Sequence, residues 1–373
     1  MTSVLSIVPY KYLPPKNGGH WGIVQVDELL AALANVSVLT VKSNLTEEKY
    51  PFGILPILPN ATSRYIPFKL NLLIKNTLGE KQYDYIFAHH HYLFPSILAA
   101  AKSKKIPVYI RSHNIEAERF RSNGKAWWRL MWLFERWSYR RANAIFFVTE
   151  EDKNYAKNQY KIPSEKCVVL PFLTRFNKQP EYDFETENLH LRQEYNISNV
   201  APIAYFLGDQ SYEPNYAAVE FLLDQLMPLL QKKGIEFNLL IVGKGLPRAI
   251  QEKINANSSV QYLGFVDDLD LILKGSHLML NPVDTGGGIK TKVIEALSWG
   301  KSVVSFDSGA SGVSKSHTGT KLSVVSDNDT KAFMDAIVNT IDNQSFRVKT
   351  PVEFYDFFSI ESNVEKIRPY FPL

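Results

Sequence analysis

Short apolar runs alternate with amphipathic stretches along almost the whole chain. VLSIV (4–8), VSVLTV (36–41), YDYIFA (83–88), IPVYIR (106–111), AIFFV (144–148) and CVVL (167–170) read as strands. Helical spacing predicts helices near 21–34, 67–79, 95–104, 116–142 and 150–160 between them. A polar, non-periodic stretch at 176–200 marks a linker. The alternation then restarts, with strands IAYFLG (203–208), FNLLIVG (237–243), VQYLG (260–264), HLMLNP (277–282), SVVSF (302–306) and LSVV (322–325). Helices are expected near 215–232, 246–255, 267–274, 288–299 and 329–342. Strands joined by helical crossovers form parallel sheets covered on both faces. The expected fold is therefore α/β: two Rossmann-like, doubly wound parallel-sheet domains facing a cleft. Their bounds are 1–180 and 181–350, and 351–373 is expected to form a helical tail crossing back to the first domain.

One stretch in this pattern stands out, DTGGGIKTKVIEALSWG (284–300). Ile289, Val293, Ala296 and Leu297 fall at i, i+4, i+7 and i+8, one stripe of a helix. Gly286, Gly287 and Gly288 precede it, and bare backbone at a helix N-terminus favours an anion. Lys290 in the first turn weakens the dipole unless an anionic ligand compensates it. Glu295 lies ~7.5 Å further along the axis, about the span from a diphosphate to the ribose of one nucleotide. The plain alternative is a glycine-rich turn with a surface Lys and Glu.

Length suits two ordinary domains, since 373 residues with 45% hydrophobic and 21% charged is a globular composition. A net charge of +4 suits anionic ligands without arguing for nucleic acid. The single cysteine, Cys167, excludes an intramolecular disulfide framework and suits a reducing cytoplasm. The opening MTSVLSIVPY lacks the charged and apolar regions of a signal peptide, and no run approaches the ~20 apolar residues of a membrane span. The expected location is cytoplasmic.

Four strand ends of the second half supply further candidates: Gly208 in LGDQSYEPN, Lys244 in VGKGLP, the LGFVDD loop, and Asp284. Gly243-Lys244-Gly245 lacks the third glycine of a dinucleotide fingerprint, which disfavours a nicotinamide enzyme. Lys244 has a solvated-loop alternative. In the first half, Gly18, Gly19 and His20 open a helix and repeat the anion logic more weakly, with an ordinary turn as the even alternative. His113 follows a strand directly, beside Arg111, Asn114, Glu116 and Arg119. There an imidazole can bond a sugar hydroxyl or move a proton. His89-His90-His91 resembles a metal cluster, but adjacent strand residues point to opposite faces, so a metal is not expected without a turn.

KAWWRLMWLFERWSYRR (125–141) holds four of the six tryptophans. Leu130, Leu133, Phe134 and Trp137 are expected as one buried stripe. Trp128, Met131 and Trp132 lie on another face among Arg129, Arg136 and Arg140. Internal packing is preferred; peripheral contact with an anionic inner membrane surface is the second reading.

With these motifs in place, the chain resembles the GT-B glycosyltransferases of family 4, which retain anomeric configuration. TGGGIKTKVIEALSWGKSVVSFDSGASGV (285–313) carries most of the likeness, supported by LGDQSYEPNYAAVEFL, VGKGLP, LGFVDDL, PPKNGGH and RSHNIEAERF. The resemblance implies a nucleotide-sugar donor on the second domain and a saccharide, lipid-linked or protein/glycan acceptor on the first. It assigns Glu295 to the donor ribose, the backbone near Phe265 and Val266 to the base, Gly286–Gly288 with Ile289 to the diphosphate and sugar, and His113 to the transferred sugar from across the cleft. Gly18, Gly19, His20 and Asn114 fall to the acceptor; no metal or other cofactor is implied. Two departures stand out. Gly287 occupies the place of a sugar-contacting glutamate, and Asp209–Glu213 lacks the Arg and Lys that neutralise the diphosphate. Lys290 and Asp284 are the expected substitutes. The implied activity is sugar transfer in cell-surface polysaccharide or glycoconjugate assembly. A GT-B sugar-nucleotide epimerase and a non-catalytic nucleotide-sugar binder are the alternatives.

Overall fold

The computed structural model describes residues 2–285 and 291–372. Two compact units divide the chain: 2–173 with 360–372, and Thr174–Ser359. The first unit holds β1 (Ser3–Val8), β2 (Asn35–Val41), β3 (Gly53–Leu58), β4 (Tyr85–His89), β5 (Val108–Ser112), β6 (Ala144–Phe147) and β7 (Cys167–Val169). The second holds β8 (Ile203–Leu207), β9 (Asn238–Val242), β10 (Val260–Gly264), β11 (Leu278–Asn281), β12 (Ser302–Phe306) and β13 (Leu322–Val325). Among the described residues their orders are β3-β2-β1-β4-β5-β6-β7 and β10-β9-β8-β11-β12-β13. Pairing is parallel in both sheets. Each sheet therefore has a point, β1/β4 and β8/β11, where the winding reverses and a crevice opens beyond the strands' carboxyl ends. These are the two Rossmann-like domains expected from the apolar runs.

One strand escaped the pattern. GILPIL forms β3, and Pro56 broke its apolar run; proline is tolerated because β3 is an edge strand. The stretch 176–200 contains a helix, Phe184–Glu194, whose N-terminus is capped by Asp183. The helix expected near 215–232 starts at Glu213 and passes through a π-helical turn at Leu222–Leu226, just before Pro228. Proline lacks an N–H and crowds the preceding turn, so the ladder widens there.

In the first unit the helices are α1 (Gly18–Ala31), α2 (Pro67–Glu80), α3 (Phe94–Lys104), α4 (Glu116–Ser122), α5 (Trp128–Arg141) and α6 (Glu150–Gln159). A single helix over 116–142 is not formed, because Gly124 adopts φ +67° and separates α4 from α5. Leu70, Ile74 and Leu78 of α2 join Ile97 of α3 and Met131 and Tyr139 of α5 in one core layer. On the other face, Val24, Leu29 and Leu30 of α1 pack with Val4, Val8, Ile367 and Phe371. The helix Ile360–Ile367 thus belongs to the first unit.

The expected stripe on α5 is corrected in part: Phe134 and Trp137 pack partly buried against the core, but the two leucines do not. Leu130 and Leu133 are 67% and 55% exposed, and the buried side is Met131, Glu135, Ser138 and Tyr139. Hydrogen bonding decides this orientation. Glu135 Oε1 accepts from Glu116 N (3.0 Å) and Tyr139 Oη (2.9 Å), and Oε2 from Ala117 N (3.1 Å) and Tyr160 Oη (2.7 Å). Two of those donors are the free N–H groups of the first turn of α4. Burial pushes the Glu135 carboxyl up to about 7, against the pull of these donors.

Glu135→Gln turns one acceptor into an NH2 facing a backbone N–H that cannot reverse. We expect a loss of about 1–3 kcal/mol, the cost of a buried unsatisfied donor, read as a lowered urea midpoint. An unchanged midpoint would mean that the carboxylate does not anchor α4.

Candidate functional site

In the second unit the loops leaving β8 and β9 touch each other closely. Gly243 has φ +117°, and a Cβ there would lie 1.7 Å from the Gly208 carbonyl oxygen. A Cβ on Gly208 would lie 2.7 Å from Asn215 Nδ2. Gln210 turns inward: its backbone N–H donates to Lys244 O (2.9 Å) and its Nε2 to Val242 O (2.9 Å). The loop after β8 thus spends its central polar side chain on holding its neighbour.

Across the winding reversal, Lys292 of the helix Thr291–Ser298 donates to Asn215 Oδ1 (2.9 Å) and lies 4.2 Å from the Phe206 ring centre. Asn215 Nδ2 donates in turn to Asp209 O (2.8 Å). Lys292 is a candidate that the sequence reading passed over. Its signal was its place two residues after Lys290, but only the fold brings it to the loop after β8.

Glu295 lies on the same helix, half-buried, and its carboxylate accepts no hydrogen bond among the described residues. Burial raises its pKa, opposed by Arg175; Asp270 raises it further. Arg175 is ion-paired with Asp270 at 3.2 Å and lies over the Phe176 and Trp299 rings. The Tyr205 hydroxyl, sealed from solvent and without a hydrogen-bond partner among the described residues, has its pKa pushed well up by burial and then by Glu295. A carboxylate in this setting has lone pairs to offer a hydroxyl-bearing ligand.

Phe265, just beyond β10, is 73% exposed, and Val266 beside it is half-buried. Lys244 is exposed and close enough to help hold Asp209 below the usual carboxylate range, after the Ser211 hydroxyl. Asp284 lines a cavity of about 310 Å³ with Glu220, Asp224 and Asn328. Among the described residues, none of the other expected donor residues lines it. Gly286, Gly287, Gly288, Ile289 and Lys290 lie outside the described residues.

In the first unit, Gly18 and Gly19 open α1, and Asn17 caps it by accepting from His20 N (3.0 Å). His20 Nδ1 accepts from Lys16 N (3.3 Å). Burial, then Lys16, lowers the His20 pKa. Asn114 is half-buried, and its carbonyl accepts from Ser112 Oγ (3.0 Å). Arg111 does not join a ligand site. It is buried and donates to the carbonyls of Phe147, Leu170 and Pro171. Arg119 pairs with Glu116, which also accepts from Tyr92 Oη (2.6 Å).

The three adjacent histidines separate, with a turn between them. His89 ends β4, and His90 has φ +66°. His89 Nδ1 lies 3.2 Å from His113 Nε2, and the His90 ring stacks on His113 at 4.4 Å. His91 turns to Met131 Sδ (3.3 Å), and burial pushes its pKa down to about 3. Two of the three therefore reach His113. Among the described residues no group of three or more His, Cys, Asp or Glu is placed to hold a metal ion.

Comparison with known proteins fits this geometry. The model of Glycosyltransferase Family 4 matches residues 18–172, and that of Glycosyl transferases group 1 matches residues 201–343. The chain thus carries two glycosyltransferase domains, a Glycosyltransferase Family 4 domain followed by a Glycosyl transferases group 1 domain. Family 4 matches the first sheet's unit and group 1 the second's, in chain order. A curated Klebsiella pneumoniae relative, described as an uncharacterized 44.6 kDa protein in the cps region, is 21% identical over 84% of this chain and 77% of its own. Anabaena Alr3699/HepE, solved in complex with UDP-glucose, superposes with a TM-score of 0.72 at 14% identity, covering 99% of each chain. WaaG, a glycosyltransferase involved in lipopolysaccharide biosynthesis, gives 0.65 at 14% identity over 99% of each. This glycosyltransferase thus shares the GT-B fold with both.

Gly243→Ala tests the crossing of the β8 and β9 loops. The new methyl meets a carbonyl in a backbone conformation that disfavours side chains, so a loss of at least about 1–3 kcal/mol is expected. A denaturation midpoint equal to that of the unaltered chain would show that the loops do not touch as described.

Proposed function

We propose that this glycosyltransferase moves a sugar from a nucleotide-sugar donor, bound by the second unit, to a hydroxyl of a saccharide, lipid-linked or protein/glycan acceptor bound by the first. The observation that carries the reading is Glu295: a half-buried carboxylate beyond a strand's carboxyl end, with no protein donor among the described residues. It is assigned to the ribose hydroxyls, and the exposed Phe265 ring, with Val266, to the base. Lys290 and Lys292 neutralise the diphosphate, with Lys244 nearby and no metal needed. Gly208, Gly286, Gly287, Gly288 and Ile289 let the donor approach backbone, and Asp284 meets the sugar. In the first unit, His113 meets a sugar hydroxyl, and Gly18, Gly19, His20 and Asn114 serve the acceptor.

The proposed chemistry retains configuration. The glycosyl–phosphate C–O bond breaks, and the acceptor oxygen forms its bond to the anomeric carbon on the same face. The departing diphosphate takes the hydroxyl proton. Negative charge grows on the diphosphate as it leaves, so fixed lysines and oriented N–H groups stabilise the transition state more than the ground state. UDP-glucose on the Anabaena neighbour and the lipopolysaccharide role of WaaG support a nucleotide-sugar donor and a cell-surface glycoconjugate product.

A thermal-shift screen over UDP-, GDP-, ADP- and CMP-sugars tests the reading. A ligand at 100 times its dissociation constant stabilises by about 2.7 kcal/mol, and silence across all four classes would reject it. For the donor found, Glu295→Ala is expected to weaken binding by ~1.5–3 kcal/mol, as for a lost charged hydrogen bond; calorimetry showing equal affinity would remove the ribose role.

Peripheral contact with the cytoplasmic face of an anionic membrane is part of the proposal. Leu130 and Leu133 are exposed on α5 among Arg129, Arg140 and Arg141, and Phe68 and Leu72 are exposed on α2 with Lys69 and Lys75. Both helices bury their opposite sides in one core layer. Such a basic, apolar surface complements acidic lipid; among the described residues no helix is long and apolar enough to cross a membrane. The chain is expected to float with phosphatidylglycerol vesicles and not with phosphatidylcholine, and Leu130→Asp with Leu133→Asp to abolish this. Equal sedimentation in every case would rule membrane contact out.

A further inference from the structure

His113 is the outer end of a hydrogen-bonded chain that runs into the first unit's core. His89, 1% exposed, places Nδ1 3.2 Å from His113 Nε2 and Nε2 3.2 Å from Asp27 Oδ1. Asp27 is fully buried within α1. Its Oδ1 also accepts from Ser6 Oγ (2.7 Å), and its Oδ2 from Tyr12 Oη (3.3 Å). The members come from α1, β4 and the segment after β5, and they meet at the winding reversal between β1 and β4.

A buried carboxylate normally has a cationic partner or a set of backbone donors. Among the described residues Asp27 has neither: its partners are two hydroxyls and one imidazole. That choice has a consequence for protons. An ionised carboxylate only accepts, so His89 presents Nε2–H to it. Neutral His89 is then left with a lone pair on Nδ1, which accepts from His113 Nε2–H. His113 in turn carries its lone pair on Nδ1, and among the described residues that atom makes no hydrogen bond. The stacked His90 ring, 3.9 Å by its Nδ1 from Glu116 Oε1, holds the plane of the His113 imidazole from one side.

We propose that Asp27 and His89 are positioning residues that hold His113 as the Nε2–H tautomer, with Nδ1 open to accept from a sugar hydroxyl. The inference rests on the reading that His113 meets a sugar hydroxyl. It adds that His113 acts as an acceptor, not as a cationic donor. Burial, with His90, His89 and Arg111 nearby, pulls its pKa well below the ordinary imidazole value and keeps it neutral. In other enzymes, a carboxylate behind a histidine fixes its tautomer in the same way, and its amide replacement leaves the ring in place with the wrong nitrogen protonated.

Ring-nitrogen NMR on the full chain, labelled with 15N-histidine at neutral pH, reads this directly and needs no ligand. Both His89 and His113 are expected to be protonated at Nε2 alone. In Asp27→Asn, His113 should shift toward a mixture with Nδ1–H. His89→Gln, which cuts the chain one member later, should do the same and replaces the first variant should that one not fold. Protonation of His113 at Nδ1 in the unaltered chain would overturn the inference, as would an unchanged His113 signature in the folded variants. A protein that binds no nucleotide sugar but shows the expected tautomers would reject the transferase reading and leave this assignment standing.

Discussion

Where neighbouring parallel strands send their crossovers to opposite faces of a sheet, the crossovers diverge and leave a space beyond the strands' carboxyl ends. This happens between β1 and β4 and again between β8 and β11, and the candidate chemistry gathers at those two places. Lys292 meets Asn215 across the second reversal, and His89 meets Asp27 and His113 at the first. The strands do not choose a reaction. They fix which loops can converge, and the residues on those loops do the rest.

Away from those reversals, each unit also ties its segments together with charge in places where water does not reach. Arg111 is buried against carbonyls near the ends of β6 and β7. Lys301 donates to Lys274 O and Ser276 O, and Lys321 to Ser345 O and Val348 O. Burial lowers the pKa of each, Lys321 to about 7. A lone buried cation surrounded by carbonyls is a poor ligand site because most of its donors are committed to them; Arg111 keeps Nε alone without a partner among the described residues. The same test separates Arg111, first grouped with His113, from Glu295, whose acceptors have no donor among the described residues.

The fold was legible because apolar periodicity survives in a parallel sheet buried on both faces. Errors arose where a polar residue or a proline was structural. Glu135 turned α5 so that leucines faced out, Pro56 hid an edge strand, and Asp183 capped a helix inside a stretch too polar to look ordered. As candidates, Glu295 was legible from helical spacing, since one helix carries it, and Phe265 only through the family resemblance. The Asp27–His89–His113 chain was not, because its members lie 62 and 24 positions apart and meet only through the sheet. Histidines adjacent in sequence drew attention that belonged to histidines adjacent in space.

The missing cations after β8 have a physical counterpart in the structure. Gln210 sits where a charged side chain could have pointed outward, but its amide is turned in to the β9 carbonyl, and the loop is pressed against Gly243. A long basic side chain at that inward position would bring a charge into a space closed by Val242 and Lys244 backbone. Lys292 instead approaches from the helix beyond β11 and reaches the same loop through Asn215. In the proposed function, a cation on that helix serves the donor's diphosphate while the loop after β8 is left to lock two strands together.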